Sequence, residues 1–341
     1  TGPSDTNHAQ PLLGICGSTQ IALSHNGNIR NAAALRKKLK NSGIKFLTKD
    51  SDTEVIVRLI EQRGDIVDGL KFAEQYLEGS YSLTILTKDG IYGVRDPHGI
   101  KPLCVGRRED GVFIASESAA FNNGRGIEFD RDIERGEIFF VGRDGETRFS
   151  LGKKRKAFDI FEFVYFARPD SIIDGIAVGP YRVELGRKLA LKDVQQNGRD
   201  FFSRENTIIL PIPNSGRHYA QGYQQGVYEA TGIFIPIVDA FYRKRTPEAE
   251  RSFTQPSHER RIDSVSAKLS IIRKLVEGKI VFGVDDSTVR GNTDRKLAIM
   301  IRDADAIEVH KRNGYAQTVQ TCPYGIDMKT FDEHIANQYP N

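Results

Sequence analysis

Tryptophan is absent from the sequence, methionine occurs twice and cysteine only three times. Cys16, Cys104 and Cys322 lack metal-like spacing, and one of them stays unpaired in any disulfide scheme. That excludes a disulfide-built scaffold and sets the expectation of a reduced, cytoplasmic compartment. No apolar run approaches the ~18 residues needed to span a bilayer, so no membrane partner is expected. A massed block of Lys and Arg is also missing: the formal net charge is +4, with the basic residues spread along the chain. Nucleic acid is therefore not implied, whereas a mildly basic balance suits a substrate carrying several phosphates.

What is present is the composition of a globular protein, 39% hydrophobic and 28% charged over 341 residues. At roughly 100–200 residues per domain this length predicts two domains. The first half alternates short β-rich runs with turns, at 21–24, 80–87, 90–94, 112–116 and 137–141, which reads as antiparallel sheet. Helical spacing over 31–41 and 52–62 adds flanking helices, with Asp52 in a first turn that favours carboxylates. Over about 143–157 the segment GRDGETRFSLGKKRKA is polar and basic and reads as a linker, giving domains 1–150 and 151–341. The second half changes rhythm. Helical stretches at 180–195 and 267–276 and from Thr293 alternate with strands at 207–211, 233–238 and 279–284, the pattern of a parallel sheet with crossover helices.

In such sheets ligands bind where loops leave the carboxyl ends of strands. The segment KIVFGVDDSTVRGNTDRKL is built for that: an apolar strand ends in Asp285 and Asp286, and a polar loop opens a helix. Unpaired N–H groups and the positive helix end there hold a phosphate, with Ser287, Thr288, Val289, Arg290, Gly291, Asn292 and Thr293 forming the cradle. Asp285 and Asp286 are placed to accept ribose hydroxyls or to face magnesium. An acidic strand end before a capped helix is the plainer alternative. Against it stand a second strand-end loop, LPIPNSGR, able to grip pyrophosphate through Asn214, Ser215, Gly216 and Arg217, and a polar segment bracketed by Arg243, Lys244, Arg245, Arg251, Arg260 and Arg261, a cationic lid if it closes over the substrate and otherwise a solvated loop.

The order LPIPNSG, YRKR with RSFTQP, then VDDSTVRGNT resembles the phosphoribosyltransferase part of the amidophosphoribosyltransferase family. FEFVYFARPDSIIDGI resembles that family's interdomain segment and CPYGIDM its sequence after the last sheet strands. LSHNGNIRNA, KDSDTEV, GSYSLTIL, VRDPHGIKPL and ASES resemble its glutaminase domain, so the likeness covers nearly the whole chain. It implies an α+β N-terminal-nucleophile sandwich, truncated here, followed by an α/β type I phosphoribosyltransferase domain with a parallel sheet. HNGN alone is a turn signal; the resemblance implies that Asn26 and the N–H of Gly27 form an oxyanion hole. It also implies that Asp52 grips the amino group of glutamine, where the sequence alone makes Asp52 a helix cap. Arg95 and Asp96 read as structural.

In this family the nucleophile is an N-terminal cysteine activated by its own amine. The chain opens at Thr1 in a polar stretch resembling the middle of a loop, and the nucleophile is expected upstream. Cys16 and Cys104 offer no such amine. Asn214 stands where the family carries an acid, and Asp159 where its iron–sulfur members carry a cluster cysteine, so no iron–sulfur cluster is expected. The implied activity is formation of 5-phosphoribosylamine and pyrophosphate from phosphoribosyl pyrophosphate and glutamine-derived ammonia, the first step of purine synthesis. Magnesium would sit on Ser215, Asp285 and Asp286. Purine nucleotides as feedback inhibitors and a homotetramer complete the expectation. The alternatives are a homologue that only binds phosphoribosyl pyrophosphate or nucleotide, and a base-salvage phosphoribosyltransferase.

Overall fold

The computed structural model describes residues 8–243, 269–326 and 331–338. Contacts group the chain into two units, one of residues 1–162, 167–177 and 322–327, the other of 163–166, 178–321 and 328–341.

The first unit opens with β1 (Leu12–Cys16) and β2 (Thr19–Ile29), followed by α1 (Ala32–Asn41), α2 (Asp52–Ile60) and α3 (Ile66–Glu74). Then come β3 (Gly79–Leu86), β4 (Gly90–Arg95), β5 (Cys104–Arg108), β6 (Gly111–Ala115), β7 (Glu128–Asp132), β8 (Glu137–Gly142) and β9 (Gly145–Ser150). A small hairpin, β10 (Ile172–Ile173) and β11 (Ile176–Ala177), closes the list. One antiparallel sheet runs β1-β2-β3-β4-β8-β9 and a second β6-β5-β7. Strand alternation sends successive side chains to opposite faces. Ile138 joins a core with Leu23, Leu83 and Ile85 of the sheet and Val55, Ile56 and Leu59 of α2, while its neighbour Phe139 packs with Leu103, Val105 and Ile133.

In the second unit α4 (Val178–Asn197) precedes β12 (Thr207–Pro211) and α5 (Gly216–Thr231). After them come β13 (Phe241–Arg243), β14 (Leu269–Ile271), β15 (Ile280–Asp285), α6 (Asn292–Asp303) and β16 (Glu308–Asn313). The parallel sheet is β12-β15-β16, and β13 pairs with β14. Strands β12 and β15 are buried along their whole length and are largely apolar, whereas the edge strand β16 is polar and only half-buried. Ile209, Phe282 and Val284 pack with Tyr219, Tyr223 and Val227 of α5, whereas Ile208, Leu210 and Val281 pack with Leu297 and Ile301 of α6.

Several expectations need correction. The linker expected at 143–157 contains β9, every residue of which is exposed, so it has no apolar alternation to betray it. The helix expected at 267–276 is β14 followed by one helical turn, Arg273–Val276; residues 267 and 268 lie outside the described residues. The strand expected at 233–238 reduces to an isolated bridge from Ile237 to Ile209. HNGN is not a turn but the interior of β2, with Asn26 opposite Ser82 and Gly27 opposite Tyr81.

Candidate functional site

In the second unit, register brings the two predicted loops to one edge of the sheet. Pro211 of β12 lies opposite Val284 of β15, and the N–H of Ile212 donates to the carbonyl of Val284 at 2.8 Å. The loop 212–215 therefore leaves beside the acid pair. Its Pro213–Asn214 peptide is cis, Asn214 is exposed, and Ser215 precedes the first turn of α5. Arg217 is exposed and pairs with Asp239 at 2.6 Å. Arg243 ends β13; Lys244, Arg245, Arg251, Arg260 and Arg261 lie outside the described residues.

Asp285 and Asp286 are both buried at the end of β15. One oxygen of Asp285 accepts the N–H of Asp286 at 2.9 Å and the other accepts Lys311 at 2.7 Å. Burial pushes the Asp285 carboxyl upward, and Lys311 opposes this. Asp286 accepts the hydroxyl of Ser287 at 2.6 Å. Burial, then the charges of Asp286 and Asp285, push the Tyr165 hydroxyl upward. Thr288 donates to Asp294 in the first turn of α6 and accepts from Asn313 at 2.7 Å. The carbonyl of Val289 accepts the N–H of Ile335 at 2.9 Å. Gly291 caps α6 with φ +72°, and a Cβ there would meet Ile335 at 2.2 Å, so glycine suits both the turn and the close approach. Arg290 and the exposed Asn292 and Thr293 complete the loop and open the helix, whose first N–H groups have no side-chain cap. An oxyanion is what such a terminus accepts.

In the first unit, Asn26, Gly27 and Asp52 share one region. The helix cap is Ser51, whose hydroxyl accepts the N–H of Glu54 at 3.4 Å, so the cap expected at Asp52 belongs one residue earlier. Asp52 instead reaches β2, accepting the N–H of Ile29 at 3.1 Å. His25 is buried between Thr53 and the carbonyl of Ser80, 3.9 Å from Asp52; burial lowers its pKa and Asp52 counteracts. Gly27 has φ +147°, and a Cβ there would meet the Ser80 carbonyl oxygen at 2.1 Å. The segment after β16 also returns here: Asn28 donates to the carbonyl of Pro323 at 2.7 Å and Ser80 to that of Tyr324 at 2.9 Å. Arg95 and Asp96 are structural as expected. Arg95 pairs with Asp174, and Asp96 accepts the N–H groups of His98, Gly99 and Ile100. Asp159 pairs with Lys101 at 2.7 Å.

Sequence reasoning missed Lys311, Asp294, Asn313 and His25. For Lys311 and Asn313 no local pattern offered a signal, because their strand has no apolar period and its pairing with the acid-ended strand is long-range.

The comparisons agree with this geometry. A glutamine amidotransferase domain profile matches residues 4–123. The amidophosphoribosyltransferase of Archaeoglobus fulgidus is 42% identical over 98% of this chain and 70% of its own length. That of Bacillus subtilis is 37% identical over 99% and 68%. Among solved structures, the glutamine phosphoribosylpyrophosphate amidotransferase from B. subtilis complexed with ADP and GMP is 35% identical. It covers all of this chain and 71% of its own, with a TM-score of 0.84. A structure described as the allosteric regulatory enzyme of purine biosynthesis is 36% identical over 98% of this chain and 68% of its own, with a TM-score of 0.82. Among the described residues no helix is long and apolar enough to cross a membrane. The chain belongs to the amidophosphoribosyltransferase family.

Proposed function

We propose that the protein forms 5-phosphoribosylamine and pyrophosphate from phosphoribosyl pyrophosphate and ammonia, in the first step of purine synthesis. The observation that supports this most is the buried acid pair at the end of β15, followed directly by a polar loop and an open helix terminus beside the loop 212–215 and the start of α5. The loop 287–293 would hold the 5-phosphate, and the acid pair would take the ribose hydroxyls. Asn214, Ser215, Gly216, Arg217, Arg243 and Arg245 would hold the pyrophosphate. Such a site works by fixing the anomeric carbon before an incoming amine.

Magnesium fits the donor set. Among the described residues no cluster of three or more His, Cys, Asp or Glu could cage a metal, but magnesium commonly takes one or two carboxylates and completes its shell with water and substrate phosphates. Asp285, Asp286 and Ser215 are the residues that would hold it, and when bound it would neutralise the departing pyrophosphate.

The first unit is read as an N-terminal-nucleophile glutaminase, with Asn26 and Gly27 as oxyanion donors and Asp52 as the amino-group acceptor. Cys16 and Cys104 are buried and their thiols are pushed up by burial, so neither is a candidate nucleophile. By the same family reading the enzyme is a homotetramer, is inhibited by purine nucleotides and acts in the cytoplasm.

The test is pyrophosphate release from phosphoribosyl pyrophosphate with magnesium, supplying ammonia in place of glutamine. Ammonia-dependent release supports the reading. Binding without release would leave a binding module, and release that requires a purine or pyrimidine base would make it a salvage enzyme.

A further inference from the structure

Lys311 is a cation inside the proposed phosphoribosyl site that the strand-end motif does not contain. It stands on β16 opposite Gly283, and this register sets its side chain diagonal to Asp285 on the same face of the sheet. Its ammonium donates to Asp285 at 2.7 Å and lies 2.8 Å from a carboxylate oxygen of Asp294. The three side chains are 29%, 11% and 19% exposed, so this is no solvated surface pair. The second oxygen of Asp294 takes the hydroxyl of Thr288, and Asn313, two residues along β16, donates to the same Thr288 oxygen at 2.7 Å. The C-terminal half of β16 thus holds Asp285 through Lys311 and the loop after the acid pair through Asn313.

We infer that Lys311 is a positioning residue of the phosphoribosyl site: it fixes Asp285 directly and Thr288 through Asp294, leaving Asp286 as the freer acid of the pair that meets the ribose and its metal. The inference rests on the function proposed above. Both oxygens of Asp285 are already engaged, one by the N–H of Asp286 and one by Lys311. On Asp286, the only side chain bonded to the carboxylate among the described residues is its neighbour Ser287, a hydroxyl that can turn away as a ligand arrives. Presetting the loop this way saves ordering it when substrate binds, so its effect falls on affinity more than on the chemical step. Without the ammonium, two carboxylates would face each other across the gap, and Thr288 would lose its fixed acceptor.

The experiment compares wild type with Lys311→Met, Lys311→Arg and Asp294→Asn by two readouts. In ammonia-driven turnover, Lys311→Met is expected to raise the KM for phosphoribosyl pyrophosphate roughly tenfold to a hundredfold, the worth of a hydrogen-bonded charge, with kcat changed less than about threefold. Lys311→Arg, which keeps the charge, recovers most of that loss, and Asp294→Asn gives a smaller rise; the latter serves if Lys311→Met does not fold. The second readout, amide hydrogen exchange over 286–291 in the ligand-free protein, is expected to accelerate in Lys311→Met and Asp294→Asn while exchange in β12 stays unchanged. Unchanged KM and unchanged exchange overturn the inference, as does a loss confined to kcat. If wild type turns over no phosphoribosyl pyrophosphate while exchange over 286–291 still accelerates in the variants, the proposed function falls and the positioning role stands.

Discussion

Arg95 meets Asp174 through two hydrogen bonds, at 2.7 and 3.2 Å, and also donates to the carbonyls of Lys101, Ile133 and Gly99. The guanidinium is 2% exposed and the carboxylate 10%. Removing Arg95 leaves Asp174 with the half-exposed Lys156, 3.5 Å away, and takes the donor from the carbonyls of Lys101, Ile133 and Gly99; breaking a buried pair of this kind costs about 3–5 kcal/mol. Arg95→Ala is therefore expected to lower unfolding free energy on that scale in denaturant titration, and Arg95→Lys to recover only part because it lacks the fork. A loss under about 1 kcal/mol would mean that the pair behaves as a surface one.

Beside it, burial and the charge of Asp174 push Asp132 up from 3.8 to about 6. Between those values the folded state binds more protons than the unfolded chain, so this group's contribution falls as pH rises through the window. Below pH 3.8 both states are protonated and the penalty is absent; above about 6 it is fully present. Asp132→Asn should therefore gain stability relative to wild type on going from pH 4 to pH 7. A difference that does not move with pH would refute the assignment.

Gly27 is the point where β2 needs a conformation that L side chains rarely adopt. Gly27→Ala would place its Cβ 2.1 Å from the Ser80 carbonyl oxygen. The expected cost is on the order of 1–3 kcal/mol, accompanied by loss of glutamine binding, since Asp52 is fastened to the same strand at Ile29. Thermal unfolding and glutamine calorimetry check both.

The thiols should separate by burial. Cys104 is 2% exposed and burial pushes it to about 12, Cys16 is 1% exposed and also raised, and Cys322 is partly exposed. Alkylation of the native protein at pH 8 should modify Cys322 first, and Cys16 and Cys104 only on unfolding. Rapid native labelling of Cys104 would contradict its placement.

Part of this site was legible in the residues. After Thr207 the run to Pro211 is apolar and ends at a proline-containing loop, so its strand emerges with the bounds expected. The acid pair after β15 and the helix beyond it were legible for the same reason. Strand β16 was not, because Glu308, His310, Lys311, Arg312 and Asn313 give it no apolar period. Its contribution at Lys311 depends on pairing with β15, a long-range register that no local window contains. HNGN misled in the opposite direction: turn-forming composition was overridden by pairing with β3, and the glycine answers to a close backbone approach rather than a reversal.

The central claim, that Asp286 and the loop after it bind phosphoribosyl pyrophosphate for amination, is tested most directly by ammonia-dependent pyrophosphate release in wild type and Asp286→Asn side by side. The account predicts magnesium-dependent turnover in wild type and a loss of kcat/KM of roughly a hundredfold or more in the variant, whose fold is verified by its unfolding transition. Equal turnover in the two proteins, or none in wild type, would contradict it.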